Sequence, residues 1–302
     1  SQYNIIASTT ESTVVAEYTP GTRRSDSYQS EAQLEKEFIR LLCEVGYTYL
    51  PIHTEADLVA NLRTQLEKLN NYQFTDGEWE RFFQQSIANA NEGIKEKTRR
   101  IQDGDTAQAF KRDSGESKNI RLLDKKCIHN NTLQVINQYT VSQAEGAAHD
   151  NRYDVTILVN GLPLVHVELK RRGVAIREAF NQINRYKRDS FWAGSGLFDY
   201  VQIFVISNGT NTKYYSNTTR LGHIKDFNSS AARKRGKTSN SFEFTSFWAD
   251  AKNHIIPDLM DFTKTFFAKA TILNILTRYC VFTSEDLLPW HGSQLGGKPC
   301  LQ

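Results

Sequence analysis

The chain has 302 residues, with 37 Lys and Arg against 34 Asp and Glu and a net charge of +3; so mild an excess argues against nucleic-acid binding by global charge and leaves it to local clusters. Its four cysteines, Cys43, Cys127, Cys280 and Cys300, have no C-x-x-C spacing, which argues against a zinc or disulfide framework. No apolar run reaches the ~18 residues of a membrane span, and no signal peptide is visible, so a cytoplasmic protein is expected.

Residues 1–25 are polar and contain Pro20-Gly21. They read as an N-terminal arm, either β-prone around Thr13-Val14-Val15-Ala16 or without structure. Ser30 then precedes a predicted helix over 31–46, with Leu34, Phe38, Leu41, Leu42 and Val45 on one stripe and Gly46 as its stop. Glu31, Glu35 and Glu37 lie in its early turns, where acids complement the helix dipole. Residues 54–102 predict polar helices: Leu58, Leu62, Leu66 and Leu69 form one stripe, and Trp79, Phe82 and Phe83 another after a cap at Thr75 or Asp76. These are packing layers rather than cofactor sites. Residues 103–120 read as a weakly structured connection, followed by strands at about 120–124 and 132–140. A polar link, 141–152, leads on to Asp154.

Residues 153–170, YDVTILVNGLPLVHVELK, read as two short strands joined at Asn160-Gly161. Odd positions (Val155, Ile157, Val159, Val165, Val167, Leu169) make one continuous apolar face, which must be core. Asp154, Glu168 and Lys170 fall on the other face. A two-residue loop pairing Val159 with Leu162 would set Asp154 opposite Val167, because a one-residue slip flips every side chain. The expectation is therefore a three-residue loop, with Gly161 left-handed beside a bulge, which pairs odd with odd and brings Asp154 to Glu168.

After Arg171-Arg172-Gly173 a helix over 174–191 is predicted, with Ile176, Ala179, Phe180, Ile183 and Tyr186 inward. Gln182 and Tyr186, four apart, share a face. Lys170, Arg171, Arg172, Arg177, Arg185, Lys187 and Arg188 form a local basic surface, which suits a phosphate backbone or is an ordinary solvated face. Strand 200–207 completes a βαβ unit, and a second strand covers about 212–216 after Asn208-Gly209. Residues 218–240 read as a polar loop holding Arg233-Lys234-Arg235 and Lys237, and helices are expected at about 246–254, 256–268 and 269–280. Gly292-x4-Gly297-Lys298 is no phosphate loop: Pro299 stands where Ser or Thr would hold Mg²⁺, and no strand precedes it. ATP binding by this chain is not expected.

Two carboxylates with open positions between them suit a hard cation such as Mg²⁺. A lysine beside it can orient a water for attack on a phosphate. The pattern D-x13-E-x-K formed by Asp154, Glu168 and Lys170 is the phosphodiesterase arrangement of PD-(D/E)xK nucleases. Its bland counterpart, a Glu-Lys pair on a half-exposed sheet, uses the same letters.

The wording NRYDVTILVNGLPLVHVELKRRGVAIREAFNQINRY (151–186) closely resembles the nuclease domain of the motor (R) subunit of type I restriction endonucleases. The resemblance runs more loosely from about Asp26 to Phe282, through SYQSEAQLEKEFIRLLCEVGY (27–47) and FVISNGTNTKYYSN (204–217). It implies an α/β fold, a PD-(D/E)xK restriction-endonuclease-like core whose mixed sheet is flanked by helices, with added helical segments. The endonuclease domain would span 26–220, its catalytic core about 120–217 and a helical elaboration about 54–102. Residues 221–302 would be a basic loop and C-terminal helices leading toward a helicase motor that this chain lacks; a start at Ser1 and the ending GSQLGGKPCLQ fit a trimmed piece.

The same resemblance implies Mg²⁺-dependent cleavage of double-stranded DNA coupled to an ATP-driven translocase, with ATP bound only in the full-length subunit. Asp154, Glu168 and the Leu169 carbonyl would hold the metal, and Lys170 would complete the catalytic set. Gln182 and Tyr186 (its Q-x3-Y motif), with Arg171 and Arg172, would contact DNA or couple to the motor. An acid of the first helix, Glu31 or Glu35, would assist. The implied partners are DNA and the methyltransferase (M) and specificity (S) subunits. Two other readings stay open: a non-catalytic module docking the R subunit on the methyltransferase core, and a stand-alone repair-type nuclease.

Overall fold

The computed structural model describes residues 3–8, 14–18, 29–217 and 242–280. The basic loop 218–240 and the glycine-lysine motif near 292–298 lie outside the described residues. In the N-terminal arm, β1 (Tyr3–Ser8) and β2 (Val14–Tyr18) pair antiparallel, and the Tyr18 N–H reaches the Asp250 carboxylate at 3.4 Å.

Helix α1 (Glu31–Glu44) begins as expected at Ser30, whose hydroxyl accepts from the Gln33 N–H while the Gln33 side chain accepts from the Ser30 N–H. Such reciprocal capping satisfies donors the helix cannot. Leu34, Phe38, Leu41 and Leu42 are its buried stripe. A short strand, β3 (Thr48–Tyr49), follows. Thr54 caps α2 (Glu55–Asn70) and Thr75 caps α3 (Asp76–Phe82); α4 (Ile94–Gln102) ends this helical stretch.

The next segment departs from expectation. Residues 103–120 hold a hairpin, β4 (Ala107–Lys111) against β5 (Ser117–Arg121). Phe110 and Ile120 are its buried anchors, and Gly115 turns the chain at a φ of 87°, the left-handed region that favours glycine. Two large apolar residues in a polar run were too sparse a period to read as strands.

The main sheet is mixed and six-stranded. Its further members are β6 (Leu133–Val141), β7 (Asn151–Val159), β8 (Leu162–Leu169), β9 (Ile203–Ser207) and β10 (Thr212–Ser216). The order is β10-β9-β8-β7-β6-β3. Strands β8 and β9 are parallel and are joined by α5 (Ile176–Asp189), which packs on both. Strands β7 and β8 are buried on both faces: Val155, Ile157 and Val165 on one, Thr156, His166 and Glu168 on the other. Both faces being covered is the usual state of a sheet with a parallel crossover. One apolar cluster joins the sheet to Leu58, Leu62 and Leu66 of α2.

Two C-terminal helices match the sequence reading in position, α6 (Leu259–Thr265) and α7 (Lys269–Asn274). The helix expected at 246–254 does not form. Instead Ser246 bridges Tyr214, and Ala249 bridges Ile255. The Asp250 carboxylate takes the N–H groups of Lys252 and His254 at 2.9 Å each. A side chain that satisfies the backbone locally competes with helix. Among the described residues no helix is long and apolar enough to cross a membrane.

Candidate active site

The hairpin that carries the acids has the expected parity by a different route. Val159 pairs with Leu162 across a two-residue turn, and Asn160 and Gly161 are both left-handed, at φ 50° and 82°. That is the tight hairpin suited to twisted strands, not the three-residue loop. The extra residue sits in β8: Leu158 pairs with Pro163, but Ile157 pairs with Val165, so Leu164 is bulged. Beyond the bulge Val155 faces Val167, and the next positions along are Asp154 and Glu168. The slip that the turn would have introduced is cancelled within two residues.

Asp154 and Glu168 therefore converge at the open end of the hairpin, close enough for the Glu168 charge to act on the Asp154 carboxyl. Asp154 Oδ2 accepts the Leu169 N–H at 2.9 Å. The Lys170 ammonium stands 3.7 Å from Glu168 Oε1, while its backbone N–H continues the sheet to the Ser207 carbonyl. Glu168 is fully buried. Burial, then the Glu168 charge beside it, pushes the Asp154 carboxyl up to about 8. Burial raises Glu168 to about 8 as well, against the downward pull of Lys170. The pair thus holds a proton readily, because two desolvated like charges side by side are unfavourable.

Helix α5 supplies Gln182 and Tyr186. The Gln182 amide donates to the Tyr186 hydroxyl, which lies 2.9 Å from the Arg152 carbonyl and 3.4 Å from Glu168 Oε1. The Q-x3-Y motif is therefore wired to the acid pair, and Tyr186, 1% exposed, faces the protein rather than solvent.

The acids of α1 lie at the rim. Glu31 accepts the Arg171 N–H at 3.3 Å. Glu35 accepts from the side-chain amides of Asn137 and Gln138; these lie on β6, where Asn137 and Tyr139 pair with Val155 and Tyr153 on either side of Asp154. Among the described residues no cluster of three or more His, Cys, Asp or Glu is arranged to hold a metal ion.

The basic surface also needs revision. Arg171, Arg185 and Arg188 are exposed and Arg172 half-buried, with Arg172 Nε donating to Gln29. Lys187 is 5% exposed; its ammonium lies over the Phe204 and Tyr215 rings, at 5.0 and 5.4 Å. It belongs to the interior, as a cation seated on aromatic faces.

Sequence reasoning assigned no role to His166. It shares the face of Glu168 two residues earlier on β8, and its Nε2 lies 3.3 Å from Glu168 Oε2. Face parity alone was the signal that could have singled it out. Burial pushes its imidazole down to about 4, so it is neutral near pH 7.

A mixed sheet flanked by helices, with two acids and a lysine at the end of a central hairpin, is consistent with a PD-(D/E)xK nuclease-like core. Residues 28–223 match the family described as "Type I restriction enzyme R protein N terminus". The Type I restriction enzyme EcoprrI endonuclease subunit of Escherichia coli is 48% identical over 276 residues, covering 91% of this chain and 82% of that protein. The SsaAORF53P endonuclease subunit of Staphylococcus saprophyticus is 37% identical over 86% of this chain, but over only 25% of its own length. The chain likewise spans 25% of the SauMSSORF170P subunit of Staphylococcus aureus, at 36% identity. This chain belongs to the type I restriction enzyme R protein N-terminus family.

Proposed function

We propose that the domain hydrolyses phosphodiester bonds of double-stranded DNA with Mg²⁺, when joined to an ATP-driven translocase and to the methyltransferase and specificity subunits in a cytoplasmic complex. One observation carries this: the half-buried Asp154 and the fully buried Glu168 adjoin at the end of the hairpin, with the Lys170 ammonium 3.7 Å from Glu168 Oε1. The donor set fits the ion. Its ligands are hard oxygens, and the Leu169 N–H engages Oδ2 of Asp154. Two carboxylates and the Leu169 carbonyl are few, which suits Mg²⁺, an ion that keeps several waters.

When bound, the cation would supply Lewis-acid charge and a more acidic water. The chain's own residues do the rest. Asp154 and Glu168 give up their protons and hold the site's negative charge. Lys170 orients the attacking water and stabilises the charge that develops on the phosphoryl oxygens. The exposed Arg171, with Arg172, receives the DNA backbone at the rim. Gln182 and Tyr186 set the environment of Glu168 from α5, which makes them the link from the site to the rest of the enzyme.

The test is Glu168→Ala and Lys170→Ala in the complete complex. Cleavage is expected to fall at least 100-fold, about 2.7 kcal/mol in transition-state stabilisation, while ATP-driven translocation continues. Undiminished cleavage by folded variants would overturn the assignment. Pure docking of the R subunit predicts instead no calorimetric heat with millimolar Mg²⁺ or Mn²⁺.

A further inference from the structure

We infer that His166 is a positioning residue that fixes the rotation of the Glu168 carboxylate, so that one oxygen is held by protein and the other is presented to the cation. This rests on the metal-dependent reading above. His166 is fully buried and has a polar neighbour at each of its ring nitrogens. Nδ1 lies 3.4 Å from the hydroxyl of Thr156, the residue paired with it across the hairpin. Nε2 lies 3.3 Å from Glu168 Oε2. The rings of Tyr153, Tyr186 and Phe191 stand edge-on around the imidazole, at centroid distances of 5.6, 6.1 and 5.5 Å. Both polar contacts are long for hydrogen bonds, so orientation comes as much from these packed rings as from bond strength.

The donor order follows from what each group can offer. A neutral imidazole has one N–H and one lone pair. With the cation bound Glu168 has lost its proton and, as a carboxylate, can only accept, so the N–H then belongs on Nε2, donating to Glu168 Oε2. Nδ1 then accepts the Thr156 hydroxyl proton. With Oε2 occupied, Oε1 faces the Lys170 ammonium and the Tyr186 hydroxyl. Asp154 is treated alike: Oδ2 takes the Leu169 N–H. A glutamate carboxyl otherwise turns readily about its last bond, and a turned carboxylate meets the cation poorly. Outer partners of this kind typically govern 10–100-fold in metal affinity or activity.

The experiment compares four variants of the whole chain by Mn²⁺ calorimetry, with thermal unfolding measured on each. His166→Leu is expected to weaken Mn²⁺ binding about tenfold or more. His166→Gln, whose amide reaches the place of Nε2, should restore most of it; His166→Asn, whose amide reaches only the place of Nδ1, should not. Glu168→Ala serves as the reference and should abolish the heat. Parental Mn²⁺ affinity in folded His166→Leu, alongside its loss in Glu168→Ala, overturns the positioning role and leaves the metal site standing. Unchanged binding in Glu168→Ala overturns the metal reading itself. If His166→Leu does not fold, the Gln and Asn variants decide, since equal affinity in those two contradicts the donor order. Nitrogen-15 NMR of the Mg²⁺-loaded protein, in which Glu168 is ionised, gives a readout independent of activity: an Nε2–H tautomer is expected, and an Nδ1–H tautomer refutes the assignment.

Discussion

The two ends of the β7–β8 hairpin bury polar groups in opposite ways. At the turn, Asn160 is 1% exposed, yet its side chain is fully used: its oxygen accepts the Thr132 N–H at 2.8 Å, and its amide donates to the Leu122 carbonyl and to Asn131. At the open end, Asp154 and Glu168 share a site where burial raises both carboxyls far above their ordinary range. The turn end is polar for stability, with every group partnered. The open end is polar against stability, which is how functional sites stand out.

The largest effect that would sharpen this contrast lies at the turn. A Cβ on Gly161 would come within 2.6 Å of the Leu62 Cα, at a φ of 82°. Gly161→Ala is therefore expected to destabilise the protein by about 2–4 kcal/mol, combining backbone strain with overpacking. Urea unfolding measures it, and a loss below about 0.5 kcal/mol would mean that α2 does not rest on the turn.

The open end should respond with the opposite sign. Glu168 has its pKa raised on folding to about 8, from about 4 in the unfolded chain. Such a group takes nothing from stability below about 4, takes progressively more as pH rises, and reaches its full penalty above about 8. Glu168→Gln should therefore melt higher than the parent in EDTA at pH 8, with the gain shrinking to nothing by pH 4. A gain independent of pH would show that the carboxyl's charge is not its cause.

A smaller effect links the same pair to metal. Ligands must lose their protons to bind, so with both carboxyls raised to about 8 Mn²⁺ binding near pH 7 should release between one and two protons, fewer as pH passes 8. Calorimetry in buffers of different ionisation heat reads this directly; no release at pH 7 would contradict the raised carboxyls.

The acid pair was legible because the odd positions from Val155 to Leu169 admit one core face, and that parity decides where Asp154 and Glu168 fall. The bulge was not legible. Pro163 and Leu164 are apolar in either register, and only the missing Pro163 N–H, which weakens the ladder there, hints at an irregularity. Asn160 was overlooked as a left-handed residue because glycine stood beside it. Lys187 was read by its charge, whereas its long apolar stem and ammonium suit a seat between Phe204 and Tyr215. His166 is an ordinary letter on a buried strand, and its meaning emerges only from which oxygen it touches.

The contact between Gly161 and Leu62 has a practical consequence for anyone seeking a smaller enzyme. Two main chains meet there with no side chain between them, so the polar-looking stretch 54–102 offers no clean seam for excision. Cutting it away would bare the hairpin tip to water and leave the acids, a strand's length distant, on an unbraced support.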